Sequence, residues 1–141
     1  MPQGELGTMF YRSEYDAFEN CYHFTAATKY RKSVFDEAIR QRLEQLLTEK
    51  AESIDLKVHA VAAAVNHIHI LVQGDAEPPF ISQTILGYTS RLIRKEFPVL
   101  KQLHEKQLWG GKACTNIKDA SHLQNATDYI KRHDPMDSRV E

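Results

Sequence analysis

Residues 21–31 read CYHFTAATKYR, a run rich in aromatic and β-branched side chains that predicts a strand, although polar and apolar positions alternate poorly. The period then changes. Phe35, Ile39, Leu43, Leu46 and Leu47 recur at three-to-four spacing, predicting a helix that Ser33 caps, with Asp36 and Glu37 in its first turn and an end near Glu52. Residues 56–65 predict a second strand with Val58, Ala60, Ala62 and Ala64 on one face. Residues 67–73 predict a third, and Asn66 between them marks the tight connection of a hairpin. Pro78 and Pro79 close a loop that begins at Gly74. A second helix opens at Phe80 or Ser82, turns Ile81, Ile85, Leu92 and Ile93 inward, and ends before Pro98. Trp109, Gly110 and Gly111 predict a turn, residues 112–117 a short last strand. Asp119 or Ser121 caps a final helix that runs to about His133, where Pro135 stops it.

The order is strand, helix, strand, strand, helix, strand, helix. Its first six elements match the split βαβ arrangement, so the expected fold is α+β: an RRM/ferredoxin-like antiparallel sheet with helices on one face, plus one extra C-terminal helix. The other face is expected to be open to a substrate or partner. At 141 residues the chain fits a single domain: residues 1–19 an arm, 20–118 the RRM-like core, 119–134 the last helix and 135–141 a tail.

Composition narrows the function classes. No apolar run approaches the ~20 residues of a membrane helix, and the first residues are polar, with Glu5 among them, unlike a secretory signal. A cytoplasmic protein, nucleoid-associated when on DNA, is the expectation. Cys21 and Cys114 stand far apart, which argues against a cysteine-based zinc site and for two reduced thiols. A formal net charge of −1 argues against a protein that coats duplex DNA by charge alone, but leaves room for a local basic groove. Seven histidines are many for this length, and their positions carry the chemistry.

In Asn66-His67-Ile68-His69-Ile70-Leu71-Val72, strand alternation puts His67 and His69 on one face and Ile68, Ile70 and Val72 on the other. Two imidazoles side by side suit one metal ion; two exposed surface histidines would give the same spacing. A histidine-triad hydrolase would need a third histidine where Leu71 stands. A two-histidine phosphoesterase would need Thr or Ser two residues after each His, and here the residues are His69 and Leu71. On the last helix Leu123, Ala126, Thr127 and Ile130 form the apolar face. Tyr129 and His133, one turn apart, share its flank, and His122 and Asn125 extend their stripe. His133 is then a candidate third ligand. Tyr129 is a candidate phenol nucleophile toward a phosphate polarised by the metal, although a boundary tyrosine and a helix-end histidine would look the same.

Together these residues resemble the single-tyrosine HUH transposases of insertion sequences and repeat-associated elements. The resemblance spans about residues 20–134. It rests on Tyr22-His23-Phe24-Thr25 with Lys29-Tyr30-Arg31, on Asn66-His67-Ile68-His69-Ile70-Leu71, on Leu108-Trp109-Gly110, and on Tyr129-Ile130 with His133. It implies an RRM-like sheet, one Mg²⁺ or Mn²⁺ held by His67 and His69 with His133 as a further ligand, and no nucleotide cofactor. It also implies Tyr129 as a nucleophile leaving a 5′-phosphotyrosine and a free 3′-hydroxyl on single-stranded DNA marked by hairpins, and a homodimer in which the last helix can dock on the partner. Val65 stands where relatives usually carry proline, and Lys112-Ala113-Cys114 where they usually carry an aromatic, which bears on subfamily and DNA target. Lys29, Arg31, Lys32, Arg91, Arg94 and Lys95 are candidate phosphate contacts. Tyr11, Arg12 and Tyr15 in the arm are candidates to touch DNA. A non-enzymatic RRM-like nucleic-acid-binding module and a domesticated hairpin-DNA nickase are the competing readings.

Overall fold

The computed structural model describes residues 20–140; the N-terminal arm and its Tyr11, Arg12 and Tyr15 lie outside the described residues. The expected order of elements is present: β1 (Cys21–Thr28), α1 (Glu37–Ser53), β2 (Lys57–Ala63), β3 (His67–Gln73), α2 (Pro78–Glu96), β4 (Trp109–Asn116) and α3 (Ala120–Lys131). The strands form one sheet in the order β2-β3-β1-β4, and all three pairings are antiparallel. This is the split βαβ topology, α+β as expected.

One face of the sheet carries the main core. Phe24 and Ala26 of β1, Ala63 of β2, and Ile68, Ile70 and Val72 of β3 meet Ile39, Leu43, Leu46 and Leu47 of α1 and Ile81, Ile85 and Ile93 of α2. Helix α1 begins at Asp36, not Ser33: the Asp36 carboxylate accepts from the Ile39 N–H at 2.9 Å. Helix α2 starts with Pro78, where a missing N–H costs nothing.

Three further local expectations need correction. β1 stops at Thr28, and Lys29–Arg31 form a tight turn instead of extending the strand. β2 carries a bulge between Val58 and Ala60, so Val58 faces the helices while Ala60 and Ala62 face the other side; the extra residue, His59, breaks the simple alternation. Trp109, Gly110 and Gly111 are part of β4, not a turn. Gly110 is there for close approach: a Cβ on it would lie 3.1 Å from the Thr28 carbonyl oxygen across the strand pair. Trp109 fills the space behind, its indole N–H donating to the Leu86 carbonyl at 3.0 Å and its ring set edge-on to Phe35.

The second face is only partly open. Helix α3, capped by the Asp119 carboxylate on the His122 N–H at 2.8 Å, lies across it. Ile130, Leu123 and Ala126 of α3 pack on Cys21, Ala60, Ala62, Leu71 and Ile117. The chain then folds back: the Pro135 carbonyl accepts from the Val65 N–H at 2.9 Å and the Ser138 carbonyl from Asn66 Nδ2 at 3.0 Å. The segment after α3 is thus tied to the β2–β3 turn. Among the described residues no helix is long and apolar enough to cross a membrane.

Candidate metal and nucleophile site

β3 is buried on both faces, so His67 and His69 are not surface histidines: they are 1% and 6% exposed. Their shared face is the one under α3. His133, just beyond the last turn of that helix, places its Nε2 2.9 Å from His67 Nε2. The imidazole of His133 also stands edge-on to His69, 4.6 Å between ring centres. Ligand nitrogens of His67, His69 and His133 all lie within 4.8 Å of one another, the spacing at which three imidazoles can share one cation.

The neighbours fix which nitrogen of His67 carries a proton. Asn66 Nδ2 points at two carbonyl oxygens, Arg31 at 3.2 Å and Ser138 at 3.0 Å, so the Asn66 amide must present its oxygen to His67 Nδ1, 2.8 Å away. A carboxamide oxygen only accepts, so His67 Nδ1 carries the hydrogen and Nε2 keeps the lone pair. His69 Nδ1 is 3.0 Å from His23 Nε2 and 3.4 Å from Thr25 Oγ1. Its Nε2 is buried and has no hydrogen-bond partner among the described residues. An orphaned buried nitrogen is costly unless something else completes it, and a cation held with the Nε2 atoms of His67 and His133 is such a group. The two latter atoms face each other across one hydrogen bond; for both to serve as ligands, His133 has to carry its proton on Nδ1 instead.

Electrostatics favours the ligand form. Burial first, and then the neighbouring imidazoles of His23, His133 and His67, push His69 down to about 3. Burial and the nearby His133 lower His67, and burial and His122 lower His23. Neutral imidazole is what a metal ligand needs. Asp137 pulls His67 and His69 the other way, while Arg139, with Nε 2.9 Å from Asp137 Oδ1, holds that carboxylate ionised with a pKa of about 2.

Tyr129 stands on the exposed side of this cluster. It is 44% exposed, its ring is 5.5 Å from that of His69 and 5.4 Å from that of His133, and it borders a cleft with Asn125, Arg132 and Asp137. The four residues picked out by strand and helix spacing therefore come together. Asn66, His23 and Asp137 also belong to the site, and spacing alone had assigned them no role in it. His23 shares the face of Cys21 and Thr25 by strand alternation, but only the β1–β3 register, which sets it opposite Leu71 and diagonal to His69, brings the two imidazoles into contact.

The basic candidates divide. Lys29, Arg31 and Lys32 cluster at the turn after β1. Arg91 and Lys95 are exposed on α2. Arg94 is tied to the backbone carbonyls of His104, at 3.1 Å, and of Glu105, which gives it a structural task.

Comparison with known proteins follows the same line. Solved structures share the fold, two of them transposases. One, from Deinococcus radiodurans R1 and assigned as a transposase, superposes with a TM-score of 0.68 at 22% identity, covering 87% of this chain and 98% of the other. The second, a REP-associated tyrosine transposase bound to a REP hairpin, gives 0.55 at 19% identity, covering 86% and 70%. No curated protein sequence matches significantly. Residues 16–133 match the family described as "Transposase IS200 like", and over that span, which contains the whole sheet and α3 through His133, the chain belongs to the IS200-like transposases.

Proposed function

We propose that this transposase cleaves and rejoins single-stranded DNA at hairpin-marked sites through a covalent bond to Tyr129, with a divalent cation held by His67, His69 and His133. The observation that carries this reading is the convergence of three imidazoles on one point, one of them with an orphaned buried Nε2, beside a half-exposed tyrosine. A hairpin is what the REP-associated neighbour is bound to, and that supports hairpin DNA as the substrate here.

The cation, once bound, supplies Lewis-acid stabilisation of charge on the phosphoryl oxygens. Three imidazoles are a softer set than Mg²⁺ prefers, so of Mg²⁺ and Mn²⁺ the site favours Mn²⁺. The chain's own residues do the rest. The Tyr129 oxygen attacks phosphorus, the bond from phosphorus to the 3′ oxygen breaks, and the proton lost by the phenol is balanced by one gained by the departing 3′-hydroxyl. The DNA is left as a 5′-phosphotyrosine, and attack by a free 3′-hydroxyl reverses the step, so no nucleotide cofactor is consumed. Asn66 keeps His67 in the tautomer that coordinates, and α3 carries Tyr129 to the site. A purely binding RRM-like module is less well supported, because the face that would carry stacking aromatics holds histidines and alanines and lies under α3.

The test is a labelled single-stranded hairpin incubated with Mn²⁺ and resolved on a denaturing gel. Wild type should form a protein–DNA adduct. Tyr129→Phe should fold and bind DNA alike and form none; an adduct in that variant would move the nucleophile elsewhere. Mixing Tyr129→Phe with a His67→Ala, His69→Ala chain addresses the homodimer. The His67–His133 contact within one chain favours sites built in cis, which stay dead in the mixture, whereas α3 exchanged with a partner would restore activity.

A further inference from the structure

The turn after β1 is strained in a way the proposed reaction does not use. Tyr30 (φ 61°, ψ 12°) and Arg31 (φ 53°) adopt the left-handed conformation in succession, and neither is the glycine, asparagine or aspartate that tolerates it. Each such residue costs about 1 kcal/mol or more, and strain of this kind persists only where surroundings impose it. Here the Lys29 N–H donates to Leu108 at 2.8 Å, the Thr28 hydroxyl to the Lys32 carbonyl at 2.8 Å, and Asn66 Nδ2 to the Arg31 carbonyl at 3.2 Å. The result is an aromatic ring pushed into solvent, 66% exposed and contributing nothing to the core.

Two clefts border this turn, one reaching it at Lys29 and the other at Tyr30. One, of about 690 Å³, is lined by Lys29, Lys106 and Lys112 with Ser82, Gln83 and Gln107, and among the described residues no carboxylate lines it. None of the three lysines makes an ion pair among the described residues. In a chain of net charge −1, three cations around one polar cleft are a marked local excess. The other, of about 650 Å³, has Tyr30 as one wall and is mostly apolar, with Val34, Val99 and Leu103 among the rest, although Lys32, Asp36 and Gln102 also line it. A basic channel beside an aromatic face and an apolar slot is how proteins hold unpaired nucleic acid without reading its sequence: cations track the phosphates and the ring stacks on a base.

We propose that this turn is a clamp for the single-stranded DNA flanking the hairpin, with Lys29, Lys106 and Lys112 on its phosphates and Tyr30 stacked on one unpaired base in the slot beside Val34, Val99 and Leu103. The inference rests on the proposed function for its ligand. It adds a physical link to the site: the side chain that holds the strained Arg31 carbonyl, Asn66, also holds His67. One rigid amide thus sets the distance between the clamped base and the candidate metal ligand.

Fluorescence anisotropy in EDTA, so that nothing is cleaved, compares one hairpin with and without a single-stranded tail. Wild type should prefer the tailed form. Tyr30→Gly removes the ring and relieves the strain at position 30, leaving that at Arg31, so it should melt no lower than wild type yet lose about tenfold in affinity for tailed DNA, leaving blunt DNA unaffected. Tyr30→Phe should keep the preference. Replacing all three lysines by alanine should flatten the dependence of log affinity on log salt by about 2 for the tailed form. A Tyr30→Gly protein that binds tailed DNA like wild type, or loses both forms equally, overturns the clamp, as does a wild type without tail preference. Adduct formation at saturating DNA reports separately on the proposed reaction: adduct without tail preference removes the clamp alone, and tail preference without adduct removes the reaction alone.

Discussion

The two faces of the sheet solve different problems with the same strands. Under α1 and α2, the residues from β3 are Ile68, Ile70 and Val72, all but completely buried among large aliphatic side chains. Under α3, the alternate residues of the same strand are His67, His69 and Leu71, and the apolar cluster there is small, with Ala60, Cys21, Ile117 and Ile130. One face is closed by hydrophobic area. The other is closed partly by imidazoles that contact each other, which leaves an orphaned nitrogen and a helix held on a narrow apolar footing. Stability sits on the first face and chemistry on the second, and a strand buried on both sides is what allows them to be separated by a single residue.

The sharpest way to break that comparison is to cut each face in turn. Ile68→Ala should cost about 2–5 kcal/mol and lower the melting temperature by roughly 10 °C or more. Ile130→Ala should mainly release α3, seen as lost amide-exchange protection in that helix with a smaller change in global melting. Equal global losses from the two would make α3 part of the main core after all.

The next largest effect is in pH. Metal-free protein should lose stability as pH falls below about 6.5, because the unfolded chain then takes up protons that buried His69, with its pKa near 3, refuses. The contribution is complete above the unfolded value and disappears through the window between it and 3, at roughly 1.4 kcal/mol per pH unit for this residue. His69→Leu removes the orphaned nitrogen, so in chelator it should melt higher than wild type with a shallower acid slope, while Mn²⁺ binding by calorimetry vanishes. A steeper slope in the Leu variant would contradict the burial account.

These two tests also show why some of the molecule was legible from sequence and some was not. The element order could be read because apolar periods of 3.6 and 2 persist over whole helices and strands. His67, His69, Tyr129 and His133 could be read because alternation and one helical turn fix them on common faces. The bulge at His59 could not, since a single extra residue that reverses a face leaves no compositional mark. Gly110 reads as a turn from sequence because glycine serves both turns and close strand contact. Asn66 and His23 escaped because their partners are 72 and 46 residues distant, a relation that only register supplies.

Smaller effects sharpen the second face from within. Asn66→Ala frees His67 to take either tautomer and should weaken Mn²⁺ binding about ten- to a hundredfold, with DNA binding at saturation retained. Unchanged calorimetry would mean that packing alone orients His67. The mildest change expected is at His133. His133→Ala should slow cleavage more than it alters melting, and His133→Gln should recover part of the rate, since a glutamine oxygen can reach the same cation. Equal rates in all three proteins would leave His133 a helix-end histidine.

Asn66 has one more consequence, and it concerns ageing. Its side chain is used at both ends: the oxygen accepts from His67, the nitrogen donates to two backbone carbonyls. Hydrolysis of that amide to a carboxylate, a change asparagine undergoes with time, would keep the shape and reverse the sense of two contacts, setting negative oxygens against the carbonyls of Arg31 and Ser138. The molecule would keep its outline and its backbone bonds from Val65 to Pro135 and from Thr28 to Asn66, while the β2–β3 turn lost its side-chain hold on the strained segment and on Ser138. A molecule so changed should therefore fold like the rest but differ in how tightly the two distant segments are gathered beside His67.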